Sequence, residues 1–198
     1  MYGPHSELIY IDGKSLSKEI CNDIIVLFES QEDKYAGVQG TGTVNLNVKN
    51  TTDYKISDGG TKWKEINNLL QKELGTHIIK YLYNFRKSIN NPNYPVPGSN
   101  TMLMDTMQLQ KYTKGIGEYI MHHDSLYIWE QKRVRQLTFI WYLNDVVEGG
   151  ETEFWSNYNI KPEAGKLVIF PAHWTFPHRG KMPISSDKYI ITGWLYSN

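Results

Sequence analysis

Hydrophobic positions recur along this chain with two different periods, and the change of period divides it. In the first hundred residues the spacing is mostly three to four. Leu16, Ile20, Ile24, Leu27 and Phe28 form one stripe behind a candidate cap at Ser15 or Ser17. Trp63, Ile66, Leu70, Leu74, Ile78, Tyr81 and Phe85 form a longer stripe after Asp58-Gly59-Gly60, with Lys62, Lys64, Glu65, Lys72 and Glu73 on the other face. Two helices are therefore expected, the second stopped by the proline-rich turn at residues 90–98. Residues 8–11 read as a short strand closed by Asp12-Gly13, and the Thr- and Gly-rich stretch 39–55 as strands or an extended loop. Beyond residue 100 the pattern becomes strand-like. Segments 101–112, 118–123, 135–143, 152–155, 166–170 and 189–196 are rich in β-branched and aromatic residues and are separated by Gly, Pro and Asn clusters. This predicts a mostly β protein with N-terminal helices, a double-stranded β-helix (jelly roll) core buttressed by helices. A single domain over 1–198 is expected, with a helical support region at 1–100 and the jelly-roll core at 101–198.

Composition narrows the partners. The 198 residues are enough to bury a substantial core, and 14 Tyr and 6 Trp favour packed β structure over disorder. Lys plus Arg (21) equals Asp plus Glu (21), with no basic stripe, so a nucleic-acid partner is not expected. Cys21 is the one cysteine; it excludes an intrachain disulfide, sits in an apolar stripe as a core residue, and fits a reducing compartment. No charged segment followed by an apolar run opens the chain, and no segment reaches membrane-spanning length. A cytoplasmic protein without a membrane partner is the expectation. Nothing in the pattern specifies an oligomeric state.

The candidate chemistry centres on His122-x-Asp124. On a strand, residues i and i+2 face the same way, so this imidazole and carboxylate would project together and His123 would point to the opposite face. That is two thirds of the 2-His-1-carboxylate set that holds non-haem Fe(II) with open positions. A third ligand must come from elsewhere. His5 is terminal and His77 belongs to a helix-packing stripe, while His173 and His178 both follow the strand at 166–170. Lys188 opens the last strand, on one face with Ile190, Thr192 and Trp194. A buried ammonium there would need an anion, whereas at a strand start it could equally be solvated.

Several motifs in order make residues 102–196 resemble a 2-oxoglutarate- and Fe(II)-dependent dioxygenase of the prolyl 4-hydroxylase type. They are Tyr112, Tyr119-x-x-His122-x-Asp124, Arg135-x-x-Thr138, Tyr142-Leu143-Asn144, Glu148-Gly149-Gly150-Glu151-Thr152-x-Phe154, Pro162-x-x-Gly165, His178, and Lys188 with Trp194. The resemblance implies that His122, Asp124 and His178 bind iron. It implies that Lys188 takes the distal carboxylate of 2-oxoglutarate, helped by the hydroxyls of Tyr112, Tyr142 and Thr152. O2 and ascorbate as reductant would complete the cofactors. The implied reaction is oxidative decarboxylation to succinate and CO2 coupled to hydroxylation of a C–H bond. Tyr119, Arg135 and Trp194 would border the substrate, a proline-containing peptide or protein converted to 4-hydroxyproline. Residues 125–131, with Tyr127, Ile128 and Trp129, are expected to form an exposed, mobile lid. The segment 178–183 follows the family pattern only loosely, and residues 1–100 carry no family motif. Two other readings remain: the same chemistry on a free amino acid or other small molecule, and a non-catalytic jelly-roll binding module.

Overall fold

The computed structural model describes residues 5–40, 42–96, 98, 102–104 and 106–197. A 3-10 turn (Ser6–Leu8) and strand β1 (Tyr10–Asp12) lead into helix α1 (Lys18–Glu29). Of the two candidate caps, Ser17 is the one used: its Oγ accepts from the Ile20 amide at 3.3 Å. Short strands follow, β2 (Tyr35–Ala36), β3 (Val38–Gln39), β4 (Thr43–Val44), β5 (Lys49–Asn50) and β6 (Thr52–Lys55), before helix α2 (Thr61–Ser88). The second half holds β7 (Leu103–Met104), β8 (Gln108–Tyr112), β9 (Glu118–His122), β10 (Tyr127–Ile128) and β11 (Arg133–Tyr142). It continues with β12 (Thr152–Phe154), β13 (Tyr158–Ile160), β14 (Leu167–Pro171), β15 (His178–Gly180) and β16 (Lys188–Ser197).

All pairings are antiparallel. The larger sheet runs β1-β14-β11-β16-β8-β6-β2, with β10 on β11 and β7 on β16; the smaller runs β13-β12-β15-β9-β5. Together they form the expected jelly roll. The continuous apolar runs of β11 and β16 reflect a sheet covered on both faces. Leu137, Phe139 and Trp141, with Ile191 and Leu195, face the helices and pack against Cys21, Ile24 and Phe28 of α1 and Trp63, Leu70 and Leu74 of α2. The alternate residues Ile140, Tyr142 and Ile190 face inward and meet Phe154 and Ile160 of the smaller sheet. Each such fully buried side chain contributes roughly 1.5–3 kcal/mol of transfer free energy. No helix among the described residues is long and apolar enough to cross a membrane.

Three sequence expectations change. The division into a helical support and a core starting at 101 does not match the strands: β1 pairs with β14, β6 with β8, and β5 with β9. The first half therefore completes both sheets, because the polar stretch 39–55 supplies backbone partners even where its side chains show no apolar period. The strand expected at 101–112 breaks into β7 and β8, and its first residue lies outside the described residues. The strand expected at 118–123 ends at His122.

Candidate active site

The smaller sheet brings the two histidines together. β15 lies antiparallel to β9 with His178 directly opposite His122, although 56 positions separate them in sequence. Asp124 lies two residues past the end of β9, so strand alternation does not aim it. Thr138 on β11 does: its Oγ1 donates to Asp124 Oδ2 at 2.7 Å, and Arg135 Nη1 donates to the Asp124 carbonyl at 3.4 Å. With the strand ended, the strand-alternation argument no longer reaches His123. His123 is exposed and is among the residues lining the cavity that holds its neighbours, and alternation no longer fixes its direction.

Backbone carbonyls set the imidazoles. His122 Nδ1 lies 2.8 Å from Ile120 O and His178 Nδ1 lies 3.1 Å from Phe176 O. A carbonyl only accepts, so each Nδ1 carries a proton, which leaves Nε2 as the nitrogen able to ligate a metal. The Nε2 atoms approach Asp124 at 3.7 Å (His122) and 3.6 Å (His178), and one donor atom from each of the three lies within 4.8 Å of the others. Burial, followed by the facing His178, pushes His122 well below the usual imidazole range, with Asp124 opposing. Burial would raise Asp124, but His178, His122, the Thr138 hydroxyl and Arg135 outweigh it and hold the carboxyl low. A charged carboxylate beside a neutral imidazole is the protonation a divalent ion requires. Two nitrogens and one carboxylate oxygen suit Fe(II).

Lys188 opens β16 with its side chain buried. Its Nζ donates to Gly150 O at 3.0 Å and stands 3.7 Å from the Tyr112 ring centroid. Among the described residues no carboxylate lies within ion-pair distance of it. Burial pushes the ammonium down to about 7, with Glu151 opposing. An uncompensated cation of this kind fits an anionic carboxylate, which is what a cosubstrate such as 2-oxoglutarate presents. Thr152 lines the same cavity, of about 160 Å³, and so does Tyr112. Tyr142 stands one layer behind, its hydroxyl donating to Thr152 Oγ1 at 2.6 Å.

Tyr119, Arg135 and Trp194 also border this cavity. The Tyr119 ring stacks on His122, with centroids 3.5 Å apart and planes at 15°. The Arg135 guanidinium lies 3.6 Å over Trp194, and its Nε donates to Tyr196 Oη at 3.2 Å. Residues 125–131 are not a free loop: β10 pairs with the start of β11, so the segment is a hairpin. Tyr127 and Trp129 are exposed on it, Trp129 at 79%, while Ile128 is half-buried. Thr138 and Lys49 are among the side chains at the site that had no assigned role from sequence. Thr138 could have been found by extending the inward alternation of β11. Lys49, which also lines the cavity, has no local signal at all.

Residues 107–196 match the 2OG-Fe(II) oxygenase superfamily. Among solved structures the chain is similar to the viral collagen prolyl hydroxylase vCPH of Paramecium Bursaria Chlorella virus-1 in its 2OG complex. That match has 19% identity, covers 98% of each chain and has a TM-score of 0.67. It is also similar to a Pseudomonas putida prolyl-4-hydroxylase, at 14% identity over 96% of this chain and 93% of that one, TM-score 0.65. A third is a Trichoplax adhaerens prolyl hydroxylase in complex with a hypoxia inducible factor oxygen degradation domain peptide fragment. It is 18% identical over 97% and 84% of the two chains, TM-score 0.69. No curated protein matches the chain.

Proposed function

Because residues 107–196 match the 2OG-Fe(II) oxygenase superfamily, we propose that the chain is a 2-oxoglutarate-dependent dioxygenase that hydroxylates a prolyl residue of a peptide or protein to 4-hydroxyproline, with release of succinate and CO2. In this reading His122 Nε2, the Asp124 carboxylate and His178 Nε2 hold Fe(II), and Lys188 receives the distal carboxylate of 2-oxoglutarate. Bound there, the iron and its cosubstrate supply the activation of O2 and the oxidising power, with ascorbate as the reductant that keeps the iron ferrous. The chain's own part is positional. The Ile120 and Phe176 carbonyls hold the imidazole tautomers, Thr138 orients the carboxylate, and Thr152, backed by Tyr142, lies on the same wall as Tyr112 beside Lys188. The observation that carries the reading is the convergence of three metal-competent donors in one cavity with a buried, uncompensated lysine.

The prolyl substrate is supported by the lining and by the relatives. Tyr119 and Trp194 are flat apolar walls suited to a pyrrolidine ring, and proline-rich chains are already extended before they bind. The similar structures are prolyl hydroxylases, one of them holding a peptide. The family match and the intact set of three donors beside Lys188 favour an enzyme over a non-catalytic binding module. Aerobic incubation with Fe(II), 2-oxoglutarate, ascorbate and a panel of proline-containing peptides and free amino acids tests the proposal by mass spectrometry. The expected result is one added oxygen on a prolyl residue together with succinate. Oxidation of free amino acids alone, with every peptide ignored, would overturn the peptide substrate.

A further inference from the structure

The cavity wall beyond His122 holds a second buried lysine. Lys49 opens β5, the edge strand of the smaller sheet, and lies directly opposite Tyr119 on β9; one strand further on, His178 lies opposite His122. Directly opposed residues of an antiparallel pair share a face, so Lys49 shares the face of Tyr119. A register irregularity between the positions opposite His178 and Gly180 lets Tyr119 and His122, three residues apart, share that face too, their rings stacked. It is 2% exposed yet lines the cavity. Its Nζ is 5.6 Å from the Tyr119 ring centroid, and that ring is the one stacked on His122.

The two lysines differ in their counter-charge. Lys188 has no carboxylate partner among the described residues, whereas Lys49 Nζ bonds Asp53 Oδ2 at 2.6 Å. Asp53 is 0% exposed, and its other oxygen accepts from Thr51 Oγ1 at 2.7 Å. The one further contact of Lys49 Nζ among the described residues is a long one to Val38 O, at 3.4 Å. An ammonium has three protons, so this neutral pair keeps a donor to spare on a residue that lines the cavity. Buried pairs are weak sources of stability, and a donor facing a cavity calls for an acceptor. A carboxylate arriving there would meet the charge of Asp53; a carbonyl oxygen would not. The wall over the pair is also closely fitted. A Cβ at Gly37 would fall 2.1 Å from Thr51 Oγ1 and 2.9 Å from Lys49 Cε, so the backbone entering β3 lies directly on this cluster.

We infer that the Lys49–Asp53 pair is a substrate-docking point that donates a hydrogen bond to a neutral carbonyl, a peptide-bond oxygen beside the residue being oxidised. Lys49 is then a specificity-determining residue that favours a chain flanked by peptide bonds over a free amino acid. This rests on the prolyl-peptide reading above.

The test uses the full chain and acetylated, amidated proline-containing peptides, each also made with one amide replaced by an alkene isostere that lacks the carbonyl. Lys49→Met combined with Asp53→Asn removes the donor without stranding a charge, and its fold is checked by circular dichroism and thermal unfolding. In the wild type, one alkene position next to the proline should raise the peptide KM about tenfold, with the KM for 2-oxoglutarate within about twofold. In the double variant the parent peptide should show that raised KM already, and the same alkene should add nothing further. A folded double variant with an unchanged peptide KM overturns the docking point and leaves the prolyl reading standing. A wild type that accepts free proline and no capped peptide overturns the prolyl reading, and the docking point with it. Should the double variant not fold, the wild-type series decides alone, and the absence of any carbonyl-sensitive position overturns the inference.

Discussion

Among the described residues the contacts of the buried Lys188 ammonium are a carbonyl and an aromatic face, with no carboxylate at ion-pair distance, and its titration is accordingly open to experiment. Burial brings it from 10.5 in the unfolded chain to about 7, against the opposing pull of Glu151. Between those values the folded protein binds fewer protons than the unfolded one. The lysine's cost to stability is therefore full below about pH 7 and is relieved as pH rises through the window. Cosubstrate binding runs the other way, because a carboxylate beside the amine favours its charged form. Binding of 2-oxoglutarate should weaken above about pH 7 and take up a proton there. Calorimetry in two buffers of different ionisation enthalpy should detect that uptake at roughly pH 8 and little at roughly pH 6. Lys188→Met should lose both the affinity and its pH dependence while metal binding persists. An affinity flat across this range in the wild type would put the distal carboxylate elsewhere.

At the scale of elements, β15 sits between the paired histidines and the pocket of Lys188. His178 begins it and faces His122; Gly180 ends it and faces Tyr119. A Cβ at Gly180 would lie 2.9 Å from Tyr112 Cε1 and 3.0 Å from its hydroxyl oxygen. That ring is buried against Lys188 Nζ and cannot swing aside as a flexible chain end would. Gly180→Ala should therefore destabilise the fold by about 1–3 kcal/mol through overpacking, more than the roughly 0.4–1 kcal/mol gained by restricting the unfolded chain. It should also raise the KM for 2-oxoglutarate while sparing metal affinity, as read by denaturant unfolding, steady-state kinetics and metal titration. A more stable variant with unchanged cosubstrate use would mean that Tyr112 does not shape the Lys188 pocket. The element scale also explains why alternation does not carry past His122. Period-two reasoning holds only while the ladder holds, and β9 stops one residue too soon for it.

For the molecule as a whole, the site spans both sheets. The two histidines belong to the smaller sheet, while Thr138, which holds Asp124, and Lys188 belong to the larger. Ligands that bind across this interface bind only the assembled fold, so they should stabilise it globally. Chelator treatment should lower the Tm, and restoring a redox-silent divalent ion such as Mn(II) should raise it. At a free-metal concentration of about 100 times Kd the gain is about 2.7 kcal/mol, or roughly 5–10 °C for a chain of this size. Scanning calorimetry should show this shift in the wild type and not in His178→Ala. A shift that survives in His178→Ala would place the metal at another site.

Much of this protein was legible without a structure because its signals are local. The 3.6-residue stripes of α1 and α2 and the strand-like runs of the second half follow from backbone geometry within a few residues. His122-x-Asp124 and Lys188 were visible as reactive groups on strand-like segments. Tertiary structure alone decided which distant residues meet. It brought His178, not the exposed His173, against His122 through the register of β15 on β9. It set Thr138 on Asp124, drew β1, β5 and β6 from the first half into the two sheets, and set the pair Lys49–Asp53 beside a histidine some 70 residues later. Antiparallel register joins segments of arbitrary separation, and no period within either strand encodes it. The counter-charge of Lys49 is only four residues along the chain, at Asp53, but that the pair and Lys188 are buried at one cavity follows from that register.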